Sequence, residues 1–497
     1  MASYLTTIDR EEAIGLEHAT EQGLTPYAFQ SQGVELAELM IKARQNENED
    51  GKGGVLILDE MGLGKTIEAI MLVARMAPRP KKVLIIAPNT LKAEWKKALL
   101  KWLPNEEIAI FATGKGGLRR FYGLLEDAEW LKMAAIGTRF LITNYETMRN
   151  AKYMEIIQAF NADVLIWDEA HRLRNHDRKT SIASRRLTAP VEIVLTGTPV
   201  VNHAGDYWAL VNRVSERIAG TASSWEYNFI NSYRGQFGVK KSGVKNSAEL
   251  KVLLSKIAIQ REKKEVLRDL PPKIYRDVPL DMEDDQREVY ESMENQLFVM
   301  LDEGQELWAT NVLAHLMRLR QLCVDPRIVG VTGVSSAKTE FIKEFFEDVG
   351  SEQFVIFSNF EKYISLLEID LLEKGFSVGR LTGKEKVERR SQNIEDFWEG
   401  KIQVMLGTPA AGGEGVNLQC ANKIMLVDKW WSPYRNDQAI DRLHRIGQLE
   451  PVEVILPACV ETVDEALNEV LDRKYSVINE TRIQGDVMAL LKKWRSR

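Results

Sequence analysis

The chain is organised around Asp59-Glu60-Met61-Gly62-Leu63-Gly64-Lys65-Thr66, a glycine-rich stretch that follows an apolar run at residues 55–58. Apolar residues recur at helical spacing directly after it. This order indicates a strand, a glycine loop and a helix. Such a loop lets backbone amides approach phosphate groups, and the helix N-terminus adds a favourable dipole. The stretch therefore predicts a P-loop that binds a nucleoside triphosphate.

The polar residues of the predicted loop have distinct roles. Lys65 would reach the outer phosphates, and Thr66 would ligate magnesium. The general motif opens with a glycine where this chain has Asp59, so a glycine turn before an ordinary helix is the alternative. We expect the nucleotide to be bound by Met61, Gly62, Leu63, Gly64, Lys65 and Thr66.

Composition narrows the class of protein. A chain of 497 residues with 44% hydrophobic residues can bury large cores and should form two to four domains. Its formal net charge of −6 gives no overall attraction to nucleic acid, so such binding needs a local basic stripe. The three cysteines, Cys323, Cys420 and Cys459, form no CxxC pair, which argues against a zinc knuckle or a disulfide framework.

The N-terminal residues predict a location. A signal peptide would be apolar there, whereas this chain carries Asp9-Arg10-Glu11-Glu12. No apolar run approaches membrane-spanning length. We therefore expect a cytoplasmic protein, in a compartment that keeps its thiols reduced.

Short, continuous apolar runs alternate with helical stretches in both halves of the chain. This pattern predicts an α/β fold with parallel sheets covered on both faces. Ligands of such sheets bind at the carboxyl ends of the strands. The runs lie at residues 55–58, 83–86, 108–111, 140–143, 164–167 and 193–195, and again at 354–357, 404–406, 423–427 and 452–456.

Two carboxylates follow the predicted strand at residues 164–167. Asp168 would hold magnesium together with Thr66, and Glu169 would orient or deprotonate the water that attacks the terminal phosphate. His171 could couple this site to its neighbours. The alternative is a solvated acidic strand end, which the P-loop upstream disfavours.

An aromatic residue and a glutamine precede the P-loop, as Phe29-Gln30. A glutamine amide offers one donor and one acceptor, which matches the N7 and N6 edge of adenine. A helix start with a core aromatic is the other interpretation. The residues alone leave both open.

The strand alternation stops between Ala204 and about Gly350, where helical patterns dominate. We interpret this region as inserted helical elements, with Pro271-Pro272 as a linker between two halves. Its basic clusters could contact a nucleic-acid backbone or simply form solvated faces. They comprise Lys240, Lys241, Lys245, Arg261, Lys263 and Lys264.

The second half has no Gly-Lys-Thr sequence, so it should complete a nucleotide site on the first half. Gln438, Arg442 and Arg445 are four and three residues apart, and a helix would present them on one face. Arginine suits the charge that develops on phosphate during transfer. A surface helix with ion pairs to Asp437 and Asp441 is the alternative.

Taken together, these motifs resemble the Swi/Snf family of helicase-like ATPases in superfamily two, from Leu24 to about Lys474. The compact form resembles bacterial, archaeal or viral members. The segment from Arg261 to Val266, followed by Leu270-Pro271-Pro272-Lys273, is similar to the family's helical-insert box. The most specific pieces are Leu195-Thr196-Gly197-Thr198-Pro199, Gly412-Gly413-Glu414-Gly415-Val416-Asn417-Leu418 and Gln438-Ala439-Ile440-Asp441-Arg442-Leu443-His444-Arg445-Ile446-Gly447-Gln448.

The resemblance implies ATP and Mg²⁺ as cofactors and two RecA-like parallel-sheet lobes with helical insertions. Lys65, Asp168 and Glu169 would be catalytic, and Arg442 and Arg445 would be arginine fingers. Gln30, Gly415 and Gln438 would join the P-loop in contacting the nucleotide. The implied contacts to a duplex DNA backbone are Asn89, Thr90, Asn144, Tyr145, Asn202, Ser358, Asn359, Thr382 and Thr408.

Three residues depart from the family pattern: Gln260, Glu414 and Ser432 stand where another arginine, an apolar residue and an asparagine are usual. None removes a catalytic group, and Gln260 changes one contact that the family's insert box would make. The expected organisation is a lead-in at residues 1–23, a first lobe at 24–205, a helical insertion and linker at 206–272, a second lobe at 273–475 with a helical insertion at about 283–330, and a helical tail at 476–497.

The sequence thus predicts an ATP-dependent translocase on double-stranded DNA, a monomer that remodels or displaces protein–DNA complexes or DNA structures. Its short flanks lead us to expect loading specificity from a partner, a DNA structure or the insertions. The alternatives are a strand-separating helicase, an ATPase that recycles RNA polymerase, and a catalytically idle scaffold that senses ATP.

Overall fold

A computed structural model describes residues 24–48, 51–111, 138–175, 177–200, 203–235, 238–302, 309–347, 350–409 and 416–481. The chain divides into two compact units. The first contains the described residues up to Val266 and those from Val477, and the second runs from Leu267 to Ser476. None of the described helices is long and apolar enough to cross a membrane.

The first unit contains a sheet of seven parallel strands in the order β3-β4-β2-β5-β6-β1-β9, and a separate antiparallel hairpin, β7–β8. The strands are β1 (Gly53–Ile57), β2 (Val83–Ile86), β3 (Ile108–Ile110), β4 (Phe140–Thr143), β5 (Val164–Trp167), β6 (Val191–Leu195), β7 (Asn231–Gly235), β8 (Gly238–Ser242) and β9 (Ala258–Ile259). Because the paired strands are parallel, their carboxyl ends meet at one edge of the sheet.

Helices cover both faces of this sheet. Successive strand residues point to opposite faces, so Leu56 packs into one core cluster while Val55 and Ile57 pack into the other. The helices are α1 (Ala28–Glu47), α2 (Lys65–Arg75), α3 (Lys92–Trp102), α4 (Tyr145–Met148), α5 (Ala151–Ala159), α6 (Lys179–Ser184), α7 (Trp208–Val214), α8 (Glu216–Ala219), α9 (Ala222–Phe229), α10 (Ser247–Leu254) and α11 (Lys263–Val266).

The second unit contains six parallel strands in the order β10-β15-β14-β11-β13-β12. Two core clusters again lie on its two faces, with Phe354 and Ile356 in one and Val355 and Phe357 in the other. The strands are β10 (Lys273–Leu280), β11 (Phe354–Phe357), β12 (Val378–Leu381), β13 (Val404–Gly407), β14 (Lys423–Leu426) and β15 (Val452–Cys459).

Two long helices, α12 and α13, occupy most of the region where the helical insertion at about 283–330 was predicted. The helices of this region and of the rest of the second unit are α12 (Asp284–Asp302), α13 (Ala309–Val324), α14 (Ala337–Glu347), α15 (Glu361–Glu373), α16 (Val387–Trp398), α17 (Pro433–Ile440) and α18 (Val463–Thr481). The last of these begins in the second unit and ends in the first.

The predicted α/β fold with two parallel sheets is confirmed, and all ten apolar runs form strands. The sequence missed β9, β10 and β12, which lie at edges of the two sheets, and the hairpin β7–β8. An edge strand has a neighbour on one side only and need not be continuously apolar. For example, β10 carries Arg276 and Asp277, and β12 carries Gly379 and Arg380.

Candidate active site

The predicted P-loop connects the end of β1 to the start of α2. Gly62 and Gly64 have positive φ angles of +85° and +86°, a backbone region that favours glycine. Gly64 is also the N-cap of α2. A Cβ atom at this position would lie 2.4 Å from Nε2 of Gln30. Both the φ angle and the close approach therefore require glycine here.

The Lys65 side chain lies along this loop. Its ammonium donates to the backbone carbonyls of Asp59 and Glu60, at 2.8 and 3.3 Å. Both partners are neutral, and an ammonium has three N–H donors, so its charge and one donor are left for an anion. A lysine at the first residue of α2, behind two glycines, fits the phosphates of a nucleotide.

Gln30 is buried against the same loop. Its Nε2 donates to the backbone carbonyl of Leu63 at 2.9 Å, and its Oε1 accepts from the N–H of Tyr27 at 3.0 Å. The amide therefore ties α1 to the P-loop. Its role in reading adenine stays a prediction.

Arg261 forms a buried ionic network beneath the P-loop. Its Nε is 3.0 and 3.1 Å from the two carboxylate oxygens of Asp59, and its NH2 is 2.6 Å from both oxygens of Glu68. A further bond goes to the carbonyl of Phe29. All three charged side chains are 3% exposed or less. This network explains why an aspartate is accommodated at the head of the loop.

The charges of this network shift its pKa values. Burial, reinforced by Asp59, raises the pKa of Glu68 well above its usual range. Burial acts against the charge of Arg261, but the two carboxylates outweigh it and raise the pKa of Arg261.

Both interpretations of the basic residues in the insert box are wrong for Arg261 and Lys263. Both side chains are buried, so they neither form a solvated face nor are accessible to a nucleic-acid backbone. Lys263 lies beside Glu60, which accepts from its backbone N–H at 2.8 Å. Lys264 is exposed.

Asp168 follows β5, and Glu169 follows it with a positive φ of +49°. Oδ1 of Asp168 accepts from the backbone N–H of Glu169 at 2.9 Å. A left-handed backbone at a residue other than glycine costs about 1–3 kcal/mol and is typical of functional sites. The Glu169 carboxylate lies 3.1 Å from Nδ1 of His171, and coupling of His171 to neighbouring motifs stays a prediction.

Magnesium suits this set of donors. Asp168 and Thr66 offer a carboxylate and a hydroxyl, which are hard oxygen ligands of the kind Mg²⁺ prefers. Within the described part of the chain no group of three or more His, Cys, Asp or Glu side chains could hold a metal. Mg²⁺ is commonly bound by one or two protein oxygens together with substrate phosphates.

Two further donors hold Asp168, and the sequence did not point to either in this role. Nε1 of Trp95, on α3, donates to Oδ2 at 2.7 Å, and the Tyr145 hydroxyl donates to the backbone carbonyl at 2.6 Å. Both donors are fully buried. In the sequence, Trp95 looks like any apolar residue of a helix.

The implied DNA contacts of the first unit differ in exposure. Asn89 and Thr90 are exposed after β2. The side-chain amide of Asn144 donates to Oδ1 of Asn89 at 2.8 Å, and its carbonyl oxygen accepts from the N–H of Thr147. Tyr145 is buried on Asp168. Asn202 lies outside the described residues.

Ser358 and Asn359 meet a buried carboxylate in the second unit. The Ser358 hydroxyl donates to Asp428 at 2.6 Å, and the backbone N–H of Asn359 donates to the same oxygen at 3.0 Å. Arg320, from α13, reaches the other oxygen at 3.2 Å. Thr382 is buried and bonds to Glu385 at 2.6 Å, and Thr408 is half-buried after β13. Contact of these residues with DNA stays a prediction.

The prediction that one helix presents Gln438, Arg442 and Arg445 is wrong. Helix α17 ends at Ile440, and both arginines follow in turns that lead to Gly447, with φ +98°. Side-chain bonds fix these turns, since Asp441 pairs with Lys273 at 2.8 Å and His444 lies 2.7 Å from the carbonyl of Pro271.

Gln438 and Arg442 nevertheless have features of ligand-binding residues. Nε2 of Gln438 is buried, and the described residues provide it with no hydrogen-bond partner. A buried donor of this kind is costly unless something accepts from it. Arg442 is buried and Arg445 is half-buried. Gly415, the remaining predicted nucleotide contact, lies outside the described residues.

The chain matches a family model described as the SNF2-related domain over residues 29–328 and one described as the helicase conserved C-terminal domain over residues 337–447. A solved structure, "Sulfolobus solfataricus SWI2/SNF2 ATPase core in complex with dsDNA", is 24% identical with a TM-score of 0.41, covering 95% of this chain and 96% of that chain.

Among curated relatives, the Drosophila ananassae "DNA repair and recombination protein RAD54-like" is 27% identical over 459 residues, covering 83% of this chain. The Mus musculus "SWI/SNF-related matrix-associated actin-dependent regulator of chromatin subfamily A member 1" is 29% identical over 446 residues, covering 85% of this chain. The chain spans 58% and 40% of the length of these two proteins. With the first family model matching well over half of its residues, the chain belongs to the SNF2-related domain family.

Proposed function

We propose that the chain is an ATP-dependent translocase on double-stranded DNA, which remodels or displaces protein–DNA complexes or DNA structures. The observation that carries this proposal is the pairing of strands in the first sheet. β1 and β5 are both bonded to β6 and run parallel, so the P-loop and Asp168-Glu169 leave the sheet at the same edge. A member of the SNF2-related domain family with this arrangement is expected to hydrolyse ATP.

The residues of the site suggest how hydrolysis would proceed. Magnesium, when bound with ATP, supplies positive charge that neutralises the phosphates. Lys65 would bind the outer phosphates, while Thr66 and Asp168 would hold the metal. Glu169 would orient the attacking water and accept its proton. Arg442 and Arg445 would stabilise the charge that develops on the transferred phosphate.

Duplex DNA is the proposed track for two reasons. The relatives include proteins named for DNA repair and recombination and for regulation of chromatin. Asn89 and Thr90 also place short polar side chains on the surface after β2. Side chains of this kind can position phosphates without reading base sequence. Alternating grips of the two units on the backbone would then move the protein along DNA.

The first test measures phosphate release from ATP under four conditions: without nucleic acid, with duplex DNA, with single-stranded DNA and with RNA. The Glu169→Gln variant is the blank. The proposal expects strong stimulation by duplex DNA alone. Stimulation by RNA or single strands would reassign the substrate, and no hydrolysis under any condition would contradict the proposed activity. Displacement of a protein bound to duplex DNA is the second assay, and a forked duplex distinguishes translocation from strand separation.

A further inference from the structure

Asp168 accepts three hydrogen bonds from the protein itself, two on its carboxylate and one on its backbone carbonyl. Its Oδ1 accepts from the N–H of Glu169, its Oδ2 from the indole of Trp95, and its backbone carbonyl from the hydroxyl of Tyr145. Each carboxylate oxygen therefore accepts at least one hydrogen bond from the protein. These bonds set the orientation of the carboxylate, because it cannot rotate without breaking two of them.

The two side-chain donors are shielded from water. Trp95 and Tyr145 are each 1% exposed. The Tyr145 ring stacks on Trp167, with ring centroids 6.3 Å apart. The Arg172 guanidinium carbon lies 5.6 Å from the centroid of the Tyr145 ring. A hydrogen bond in such surroundings is stronger than one in water, and an unmade bond there is more costly. The orientation of Asp168 is thus set by α3 and by Tyr145.

Both donors belong to segments that also reach the surface. Trp95 lies on α3, which begins directly after the turn that exposes Asn89 and Thr90. Tyr145 follows Asn144, whose amide donates to Asn89 at 2.8 Å. The exposed turn is therefore joined to Asp168 by two routes, one through α3 and Trp95 and one through Asn144 and Tyr145.

We propose that Trp95 and Tyr145 are positioning residues, which hold Asp168 in the orientation that binds magnesium and connect it to the DNA-facing turn at Asn89 and Thr90. The inference rests on the proposed function, since it names the residues through which duplex DNA acts on the magnesium ligand. A shift of the turn on DNA would move α3 and Asn144, and through them the two donors.

The size of the effect follows from the chemistry of outer-shell contacts. Loss of a partner that orients a metal ligand typically weakens metal affinity by about 10- to 100-fold. Trp95→Phe removes the indole N–H and leaves an aromatic ring in the core, and Tyr145→Phe removes the hydroxyl alone. We expect each variant to raise the magnesium midpoint at least about tenfold.

The test titrates Mg²⁺ into the full chain with a fluorescent, non-hydrolysable ATP analogue and follows analogue binding, with and without duplex DNA. Trp102→Phe and Tyr153→Phe are the matched controls. Trp102 lies on the same helix as Trp95, and Tyr153 packs edge-on against Phe111. Circular dichroism of each variant separates misfolding from a change at the site.

The inference expects a raised magnesium midpoint in Trp95→Phe and Tyr145→Phe, with controls like the wild type. We also expect duplex DNA to lower the magnesium midpoint of the wild type, because coupling between two ligands is reciprocal. This factor should be smaller in both variants, because each lacks one of the two donors that connect Asp168 to the turn. Three results would overturn the proposal. The magnesium midpoint could be unchanged in folded Trp95→Phe and Tyr145→Phe, it could shift equally in the controls, or the wild-type midpoint could be the same with and without duplex DNA. A wild type that binds no analogue would overturn the proposed function as well.

Discussion

Arg261 and Asp59 form a buried ion pair across 202 residues of sequence, with the guanidinium Nε 3.0 Å from one carboxylate oxygen. Removal of one member of such a pair leaves an uncompensated charge in the core. We therefore expect Arg261→Met to lower the free energy of unfolding by about 3–5 kcal/mol. Urea titration of the full chain, followed by tryptophan fluorescence, measures this loss.

The matched control is Lys264→Met, in the same box. Lys264 pairs with Glu262 at 2.6 Å, but its side chain is 79% exposed. Exposed ion pairs contribute little to stability. If the two substitutions lowered the unfolding free energy equally, the buried network would not be the source of the effect.

Gly64→Ala should weaken nucleotide binding. The φ of +86° costs a side chain about 1–2 kcal/mol. The added methyl group would also displace the Gln30 amide from the carbonyl of Leu63. We expect affinity for a fluorescent ATP analogue to fall at least about tenfold, since in the proposed site the backbone amides of the loop would approach the phosphates.

Gly375→Ala separates these two causes. Gly375 has a φ of +87° but nothing within 4 Å of an added Cβ, and it follows α15 in the second unit. This variant carries the same backbone strain, so it should lose similar stability and keep its affinity for the analogue. Equal loss of affinity in both variants would show that strain alone, and not the geometry of the loop, is responsible.

Cys420 should be a slow thiol. Burial raises its pKa to about 11. At pH 8 about one molecule in a thousand would carry a thiolate, against about one in four for an ordinary cysteine of pKa about 8.5. The greater nucleophilicity of a more basic thiolate offsets part of this difference.

We therefore expect Cys420 to react with a disulfide reagent at least about tenfold more slowly than glutathione at pH 8. Its rate should rise nearly tenfold per pH unit until the pH reaches its pKa. Cys323 and Cys459 are fully buried, so we expect the label on Cys420. Mass spectrometry checks its position. A rate that levels off near pH 9 would show that the pKa is not raised.

The parts of the fold that were predictable are those whose cause is local. β1 and β5 are buried on both faces, so their sequences are continuously apolar and were recognised. β10 lies at a sheet edge and was missed. The turns after α17 were missed for a different reason. They depend on contacts of Asp441 with Lys273 and of His444 with Pro271, which no helical periodicity reveals.

The same division holds for the candidate site. Lys65 and Asp168 could be proposed because each stands in a short motif whose chemistry is explicit. The residues that contact Lys65 and Asp168 or support their segments could not be proposed from the sequence. Trp95 contacts Asp168 across 73 residues, and Arg261 contacts Asp59 across 202. A pair of this kind exists only after the sheet has brought its strands together, so a single sequence carries no local sign of it.

Glu169→Gln should separate binding from chemistry. Glutamine has the shape of glutamate but cannot accept the proton of the attacking water, and general-base catalysis contributes about 10²- to 10⁴-fold. We expect ATP hydrolysis stimulated by duplex DNA to fall by that factor, while affinity for the ATP analogue changes little. Lys65→Ala should instead lose the affinity itself, because in the proposed mechanism its ammonium binds the outer phosphates.

Glu146→Gln is the control for this pair, since Glu146 is a half-exposed residue of α4 that pairs with Arg172 at 3.2 Å. It should leave both affinity and hydrolysis near those of the wild type. Retention of full hydrolysis by Glu169→Gln would remove Glu169 from the chemistry, and the left-handed backbone at that residue would then need another explanation. Loss of analogue binding in Glu169→Gln would instead indicate that the carboxylate shapes the site through His171, 3.1 Å away.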